Sequence, residues 1–297
     1  MHQLTRGKAE LYTGGDLTGV NQARNRSAYL QLDQKFGPRL NVSAGARYEN
    51  FSINDSTASK PVFRAGLNYQ PARATWLRAS FGQGFRFPTI AEKFIRAGIG
   101  PLQVYPNNDL RPETAVNIEA GLKQGFQLGA MQGFVDVAGF YQEYQDFIEF
   151  TFGAWGTAPG FKSLNTGTSR VTGWETSLMG RATWGETTLD LLTGYTYTNP
   201  VTLTPDSIYG SVVFNGFVAS EVSYNNTSYD TTGQVLKYRS QHLFRFDAEL
   251  RRPKWFLGFS ARYQSALQNI DQAWLAFEQG SADLNWGLAD WLDEHSR

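Results

Sequence analysis

Along much of this chain apolar and polar side chains alternate strictly. In Leu40-Asn41-Val42-Ser43-Ala44-Gly45-Ala46-Arg47-Tyr48-Glu49 every second side chain is apolar, the pattern of a strand with one face in an apolar medium. The same parity sets Ala28, Leu30, Leu32 and Phe36 against Tyr29, Gln31, Asp33 and Lys35, and Phe63, Ala65, Leu67 and Tyr69 against Arg64, Gly66 and Asn68. It recurs over 75–81, 116–123, 189–197, 244–250 and 255–264, and less regularly over 131–144 and 168–182. In 131–144 two parities compete, because Phe134, Ala138 and Phe140 share a face with Asp136. A carboxylate at the bilayer midplane costs on the order of 2 kcal/mol, so Val135, Val137 and Tyr141 are predicted to face outward. The sum is about ten to eleven strands of roughly 10 to 14 residues, against about 5 to 6 in ordinary globular sheets.

The connections sort into two kinds. Tight turns are predicted at Gly37-Pro38-Arg39, Gln70-Pro71-Ala72-Arg73, 124–130, Trp184-Gly185-Glu186 and Arg251-Arg252-Pro253, and long polar loops at 50–61, 85–112, 145–167, 199–236 and from 265 onward. Short turns at one end and long loops at the other are the habit of an up-and-down barrel in an outer membrane. Aromatic residues mark both ends of the outward parity: Phe36, Tyr69, Phe126, Trp184 and Trp255 beside turns, Tyr48, Phe81, Tyr197 and Tyr263 beside loops. Two interfacial girdles account for that placement. The predicted fold is therefore all-β: an antiparallel up-and-down transmembrane β-barrel, partial, with long extracellular loops.

Composition narrows the alternatives. The 297 residues carry Lys+Arg 27 against Asp+Glu 27, a balance that gives no nucleic-acid footprint. Hydrophobic residues are 41% and mean hydropathy is −0.39. No run approaches the ~18 apolar residues of a membrane helix, yet a barrel that hides half its side chains in a polar lumen reads this way. Aromatics reach 14% and Cys is 0, which removes thiolate metal sites and disulfides. Met1 is followed by His2-Gln3-Leu4-Thr5-Arg6-Gly7, without the apolar core of a signal peptide.

Two blocks stand out beyond periodicity. Gly82-Gln83-Gly84-Phe85-Arg86-Phe87-Pro88-Thr89-Ile90-Ala91-Glu92 resembles the "GFR-x-PT-x-x-E" signature of TonB-dependent outer-membrane receptors. Asn107-Asn108-Asp109-Leu110-Arg111-Pro112-Glu113, followed by Asn117, Glu119 and Gly121, is similar to that family's "NP-x-L-x-PE-x-x-x-x-x-E-x-G", with Asn108 in place of the usual proline. Asn165-Thr166-Gly167 with Gly173-Trp174-Glu175 is a third match. Residues 1–297 are thus expected to be part of a receptor barrel domain. The resemblance implies active import of a scarce nutrient: a ferric siderophore, haem, cobalamin or a glycan. It implies as partners outer-membrane lipid, a plug domain inside the barrel, the TonB complex acting through an amino-terminal region, and the small-molecule nutrient. Neither plug nor TonB box is visible, and the strands are about half of the ~22 in such transporters, so the chain is expected to be an internal part of a barrel.

Physically the motif residues read as architecture. Pro88 cannot donate to a ladder, so pairing should stop there and the loop turn inward. Arg86 could then pair with Glu92 or Glu113, Leu110 and Pro112 set the return of the next strand, and Gly84, Gly121 and Gly173 relieve crowding. Phe85, Glu119 and Glu175 complete the motif set. Ligand contacts are expected on the loops, at Tyr105, Asn107, Trp155, Tyr209 and Trp274, with Phe152, Phe214, Tyr224, Trp286 and Trp291 as further aromatic candidates; equally, these rings would pack loop against loop. Arg47, Arg64, Arg78, Arg245 and Arg262 among Asp33, Glu49, Asp247 and Glu249 form a balanced lumen lining. Three other readings remain. A passive porin differs in having no plug, and a soluble β-sandwich would not need detergent. A barrel hydrolase needs a histidine beside a serine, and only His2, His242 and His295 exist. Metal binding by Asp283, Asp290, Asp293, Glu294 and His295 is weak, and no cofactor, metal or catalytic residue is expected.

Overall fold

The structure, a computed structural model, describes residues 2–7, 11–14, 19–156, 158–214, 217–280, 287, 290, 291 and 294. In chain order the strands are β1 (His2–Gly7), β2 (Asn21–Phe36), β3 (Leu40–Ile53), β4 (Ser56–Ala72), β5 (Thr75–Arg86), β6 (Ala97–Ile99), β7 (Leu102–Tyr105), β8 (Glu113–Leu128) and β9 (Met131–Gln145). They continue with β10 (Ile148–Gly153), β11 (Gly160–Asn165), β12 (Ser169–Trp184), β13 (Thr187–Thr202), β14 (Gly210–Phe214), β15 (Phe217–Val222), β16 (His242–Arg252) and β17 (Trp255–Gln264). The helices are α1 (Ile90–Phe94), α2 (Tyr224–Thr227) and α3 (Ala273–Gly280); none is long and apolar enough to cross a membrane.

Eleven strands form one sheet in the order β1-β2-β3-β4-β5-β8-β9-β12-β13-β16-β17, each antiparallel to its neighbour. Among the described residues β1 and β17 do not pair, so the sheet is an open barrel wall. Register puts side chains of one face in continuous rows: Leu30 opposes Ala46, which opposes Phe63. Leu30, Leu32, Phe36, Leu257 and Phe259 are exposed, Leu30 by 78%. So much bare apolar surface is untenable in water and is what a lipid-facing wall requires.

The opposite face carries the charges. Arg78 bonds Glu119 at 3.0 Å and Asp136 at 2.6 Å, Arg181 bonds Asp190 at 2.5 Å, and Arg47 pairs with Glu49. Asp136 therefore points inward, and Val135 and Val137 share the outward side with Leu122 and Leu178. His242 lies on the outward face, its Nδ1 2.7 Å from the Tyr195 hydroxyl and its ring 5.2 Å from that of Tyr197. Ser265 Oγ accepts the amides of Gln241 and His242 and does not engage the imidazole.

Several expected boundaries move. The predicted loop at 50–61 is a two-residue turn, Asn54-Asp55, because β3 runs to Ile53 and β4 starts at Ser56; Asn54 takes the left-handed φ of 50° that the turn needs. The turn at 124–130 contracts to Gly129-Ala130, with Gly129 at φ 59°. β1 is an additional wall strand, paired through Gly7 with Asn21. The other long loops are not structureless: β10-β11-β7-β6 make a second, four-stranded sheet, parallel between β11 and β7, and β14-β15 make a separate hairpin.

Candidate functional site: the outer loop platform

Burial, sparse in the wall, concentrates where the loops meet. β5 ends at Arg86, and Pro88 is fully buried just beyond. Thr89 then caps α1: its hydroxyl accepts the Glu92 amide while Glu92 accepts the Thr89 amide at 2.7 Å, a reciprocal capping box. Ile90 and Phe94 bury against Phe87 and Ile53, with Phe51, Phe85 and Tyr12 packed around them. Phe85 meets Phe51 edge-on at 5.9 Å.

Arg86 joins the motifs, donating to Glu92 at 2.8 Å and to Glu113 at 3.4 Å. Burial alone would raise the Glu92 pKa, but the Thr89 amide and Arg86 outweigh it and hold the carboxyl below its ordinary value. Glu113 also accepts the Ile148 amide at 2.9 Å, so one carboxylate ties the start of β8 to that of β10. Lys93, 4% exposed, donates to the Leu110 carbonyl at 3.0 Å. Burial pushes its pKa down against the pull of Asp109. Leu110 is itself buried and Pro112 half-buried before β8 begins.

A second layer of the loops is built around Asp271. Asp271, fully buried, accepts from Lys237 Nζ at 2.5 Å, Tyr238 OH at 2.6 Å and the Phe152 amide at 2.8 Å. Lys237, 2% exposed, also donates to Thr227 Oγ1 at 2.8 Å, which contacts the Tyr209 hydroxyl at 2.8 Å. Asn269 bonds Tyr224 OH and the Val235 carbonyl, each at 2.9 Å. Beside this network Glu149 lies 3.8 Å from Arg239. Burial raises its pKa to about 7, with Arg239 and Lys237 opposing and Asp271 adding to the rise. Burial likewise drives the Tyr209 and Tyr238 hydroxyls far up and Tyr224 to about 12, so all three stay protonated.

The five loop candidates fall into two groups. Tyr105 OH donates to the Ala158 carbonyl at 2.8 Å, and Asn107 donates to the Ser163 carbonyl at 2.8 Å while its own oxygen accepts the Asp109 amide. Trp155, Tyr209 and Trp274 gather in the second layer: Trp274 stacks on Phe152 at 4.1 Å and donates to Tyr238, and Trp155 donates to the Thr151 carbonyl at 3.3 Å. An adjoining cavity of about 560 Å³ is lined by Phe152, Trp155, Val222, Asn226, Gln272 and Leu275, among others. Trp291 is exposed, whereas Trp286 and the Phe214 side chain lie outside the described residues. Of the acidic group near the end, Asp283, Asp293 and His295 also lie outside them, and no cluster able to hold a metal occurs among the described residues.

The remaining motif residues sit in the wall. Glu119 holds Arg78, and a Cβ at Gly121 would meet that guanidinium carbon at 2.7 Å. At Gly173 a Cβ would collide with the Tyr197 carbonyl and stand 2.6 Å from Phe140, whereas at Gly84 it would reach only Ala115, at 3.4 Å. Glu175 lines an inner-face cavity of about 380 Å³ with Arg78, Asp136 and Arg245. Sequence reasoning missed Lys93, Lys237 and Asp271. Only Asp271, the lone charge between Arg262 and Glu278, carried a signal; Lys93 lies beside Glu92 and Arg96, and Lys237 near Arg239.

A lipid-facing wall, a charge-lined inner face and a layered platform on one rim define an outer-membrane barrel with a receptor-like outer surface. The chain belongs to the family described as TonB dependent receptor-like, beta-barrel, whose model matches residues 4–291; this is a family of receptors and transporters of the bacterial outer membrane. It is 25% identical over 166 residues to a hemoglobin and hemoglobin-haptoglobin-binding protein A of Haemophilus influenzae, covering 53% of this chain and 15% of that protein. It is 30% identical over 142 residues to a hemin receptor of Yersinia pestis, covering 40% of this chain and 21% of that protein. The chain thus spans about a fifth or less of these relatives. Among solved structures it resembles the hemophore receptor HasR of Serratia marcescens (TM-score 0.58, 13% identity, 91% of this chain and 51% of that one). It also resembles the siderophore receptor PirA of Acinetobacter baumannii (TM-score 0.57, 17% identity, 94% and 38%).

Proposed function

We propose that this chain forms wall and outer platform of a receptor that imports an iron-bearing nutrient, haem or a ferric siderophore, with energy relayed by TonB to a plug inside the barrel. The observation that carries the reading is the family match over 4–291, together with relatives named for haem and haemoglobin. The balanced inner lining of Arg78, Glu119, Asp136 and Arg181 suits a protein plug better than a one-sign ion path. No histidine occurs between residues 3 and 241, so the outer loops before β16 offer iron no imidazole. Recognition would rest on aromatic faces and amides, with Tyr105, Asn107, Trp155, Tyr209 and Trp274 as the candidate contacts and the cavity beside Trp155 as the candidate pocket.

The test is growth of an iron-starved strain lacking the receptor, complemented with it and supplied with haem or a ferric siderophore as sole iron source. Growth that stops when TonB is deleted or the proton gradient collapsed supports the reading. Uptake that persists without either identifies a passive pore and overturns it.

A further inference from the structure

The cavity beside Trp155 belongs to a chain rich in arginine, yet no Lys, Arg or His lines it among the described residues. Trp155, Val222 and Leu275 form its apolar wall, and Asn226, Gln272 and Gln279 set amides around it. Glu221 is the one ionisable group in that lining. It is exposed and joins no ion pair among the described residues. The stretch 213–219, which links Val212 to Ser220 on the lining, is Val-Phe-Asn-Gly-Phe-Val-Ala and adds no charge of either sign.

The cation behind the lining is already neutralised. Lys237 Nζ reaches Thr227, a lining residue, at 2.8 Å, but its charge is met by Asp271 at 2.5 Å and the residue is only 2% exposed. Arg239 lies toward Glu149, 3.8 Å away, and is not part of the lining. The inner wall is built the other way: its cavity of about 380 Å³ carries both Arg78 and Arg245.

A polyanion entering the outer cavity would give up water and meet a carboxylate in place of a counter-ion, the costly case for a charge leaving water. A ligand without net negative charge escapes that cost, gains from the apolar wall and finds donors and acceptors in the amides. Ferric siderophores divide along this line. In a ferric trihydroxamate the singly charged ligand groups balance the metal, and a pendant ammonium makes the complex cationic. A ferric tricatecholate, with doubly charged ligand groups, is a polyanion.

Resting on the import of an iron-bearing nutrient, we propose that the cavity beside Trp155 selects ferric trihydroxamates, electroneutral or cationic, and that Glu221 sets this preference against catecholates. The aromatic wall and the amides hold the body of the ligand, and the carboxylate reads its charge.

The test uses the intact receptor, purified from membranes in non-ionic detergent. It is titrated with a ferric trihydroxamate bearing a free ammonium, the same complex with that amine acetylated, a ferric tricatecholate, and haem. Both trihydroxamates are expected to bind about 100-fold more tightly than the tricatecholate, and more tightly than haem, which is also anionic. The ammonium should add about 3-fold in the parent and nothing in E221Q. E221K should shrink the gap between trihydroxamate and tricatecholate by at least about 10-fold. L275W, which fills the cavity, should weaken trihydroxamate binding by at least about 10-fold.

A tricatecholate or haem bound as tightly as the trihydroxamates overturns the selectivity and leaves iron import standing. A gap unchanged in E221K overturns the role of Glu221, and trihydroxamate binding unchanged in L275W places the ligand elsewhere and overturns the site. Failure of all four probes to bind also overturns the proposal; it rejects the import reading as well only if TonB-dependent growth on every iron source is absent too. If L275W does not fold, as judged by heat-shifted gel migration, the variants of the exposed Glu221 decide.

Discussion

Asp271→Asn removes the charge on which the second loop layer converges. Lys237 Nζ, 2.5 Å from that carboxylate, would face a neutral amide in place of its counter-ion, beside the Thr227 hydroxyl, and both partners are almost wholly excluded from solvent. Removing one member of a buried ion pair costs about 3 to 5 kcal/mol, because the survivor must ionise without a partner or lose its proton. The platform, not the wall, should absorb that loss, since the bonds at stake join β10, the segment around Lys237 and Tyr238, and the chain entering α3. Platform opening should rise about 100-fold or more, read as faster hydrogen exchange in peptides covering 148–165, 224–239 and 265–275, with wall peptides unchanged. The Phe152 amide, which donates to Asp271 at 2.8 Å, is the most sensitive reporter. D271N/K237M should recover at least about 2 kcal/mol of the summed single losses. If instead the double variant costs the sum of the singles within about 0.5 kcal/mol, the pair is not coupled and the reasoning is refuted.

Three further outcomes follow from other parts of the molecule. Glu149 titrates at about 7 when buried, above its ordinary value of 4.5. The folded platform thus binds the proton more tightly, and stability present below pH 4.5 is lost as pH rises toward 7, by on the order of 3 kcal/mol. Exchange of 148–165, corrected for its intrinsic rate, should accelerate between pH 5 and 8 in the parent and stay flat in E149Q; an identical profile in both excludes Glu149 as the cause. Gly173→Ala should prevent assembly of a heat-modifiable barrel, because its Cβ meets the Tyr197 carbonyl, whereas Gly82→Ala, with nothing within 4 Å, should fold normally. Arg86→Met leaves Glu92 and Glu113 without their shared cation and should loosen α1 by about 2 kcal/mol, seen as protease cleavage between 87 and 105 with the wall intact.

The wall was legible because lipid imposes a rule on every second residue. Asp136 decided the parity of β9 from sequence alone, since a midplane carboxylate is costly, and its bond to Arg78 at 2.6 Å shows where that charge goes. The rule lapses where strands outrun the bilayer. Outward Asn50, Ser52, Thr57 and Ser59 carry no lipid constraint, so a continuous hairpin looked like a polar loop. The platform was illegible for a different reason. Asp271 meets Lys237 and Phe152 across 34 and 119 residues, and contacts of that span leave no periodic trace. The short strands β6, β7, β10 and β11 were hidden because each is only three to six residues long, and the β11–β7 pairing that joins them into one sheet crosses from one loop to another.

The two-residue turn between β3 and β4 divides the rim into unlike halves. On one side a hairpin stands above the membrane with its ladder intact to Ile53 and Ser56, and the core of α1 leans on it through Ile53 and Phe51. On the other side three long connections are fastened to one another by the β11–β7 ladder, by backbone bonds such as that from the Tyr238 amide to the Asn269 carbonyl, and by buried side chains. The hairpin thus gives α1 a support that does not depend on the other loops, so loss of the Asp271 network should leave the core of Ile53, Phe87, Ile90 and Phe94 in place.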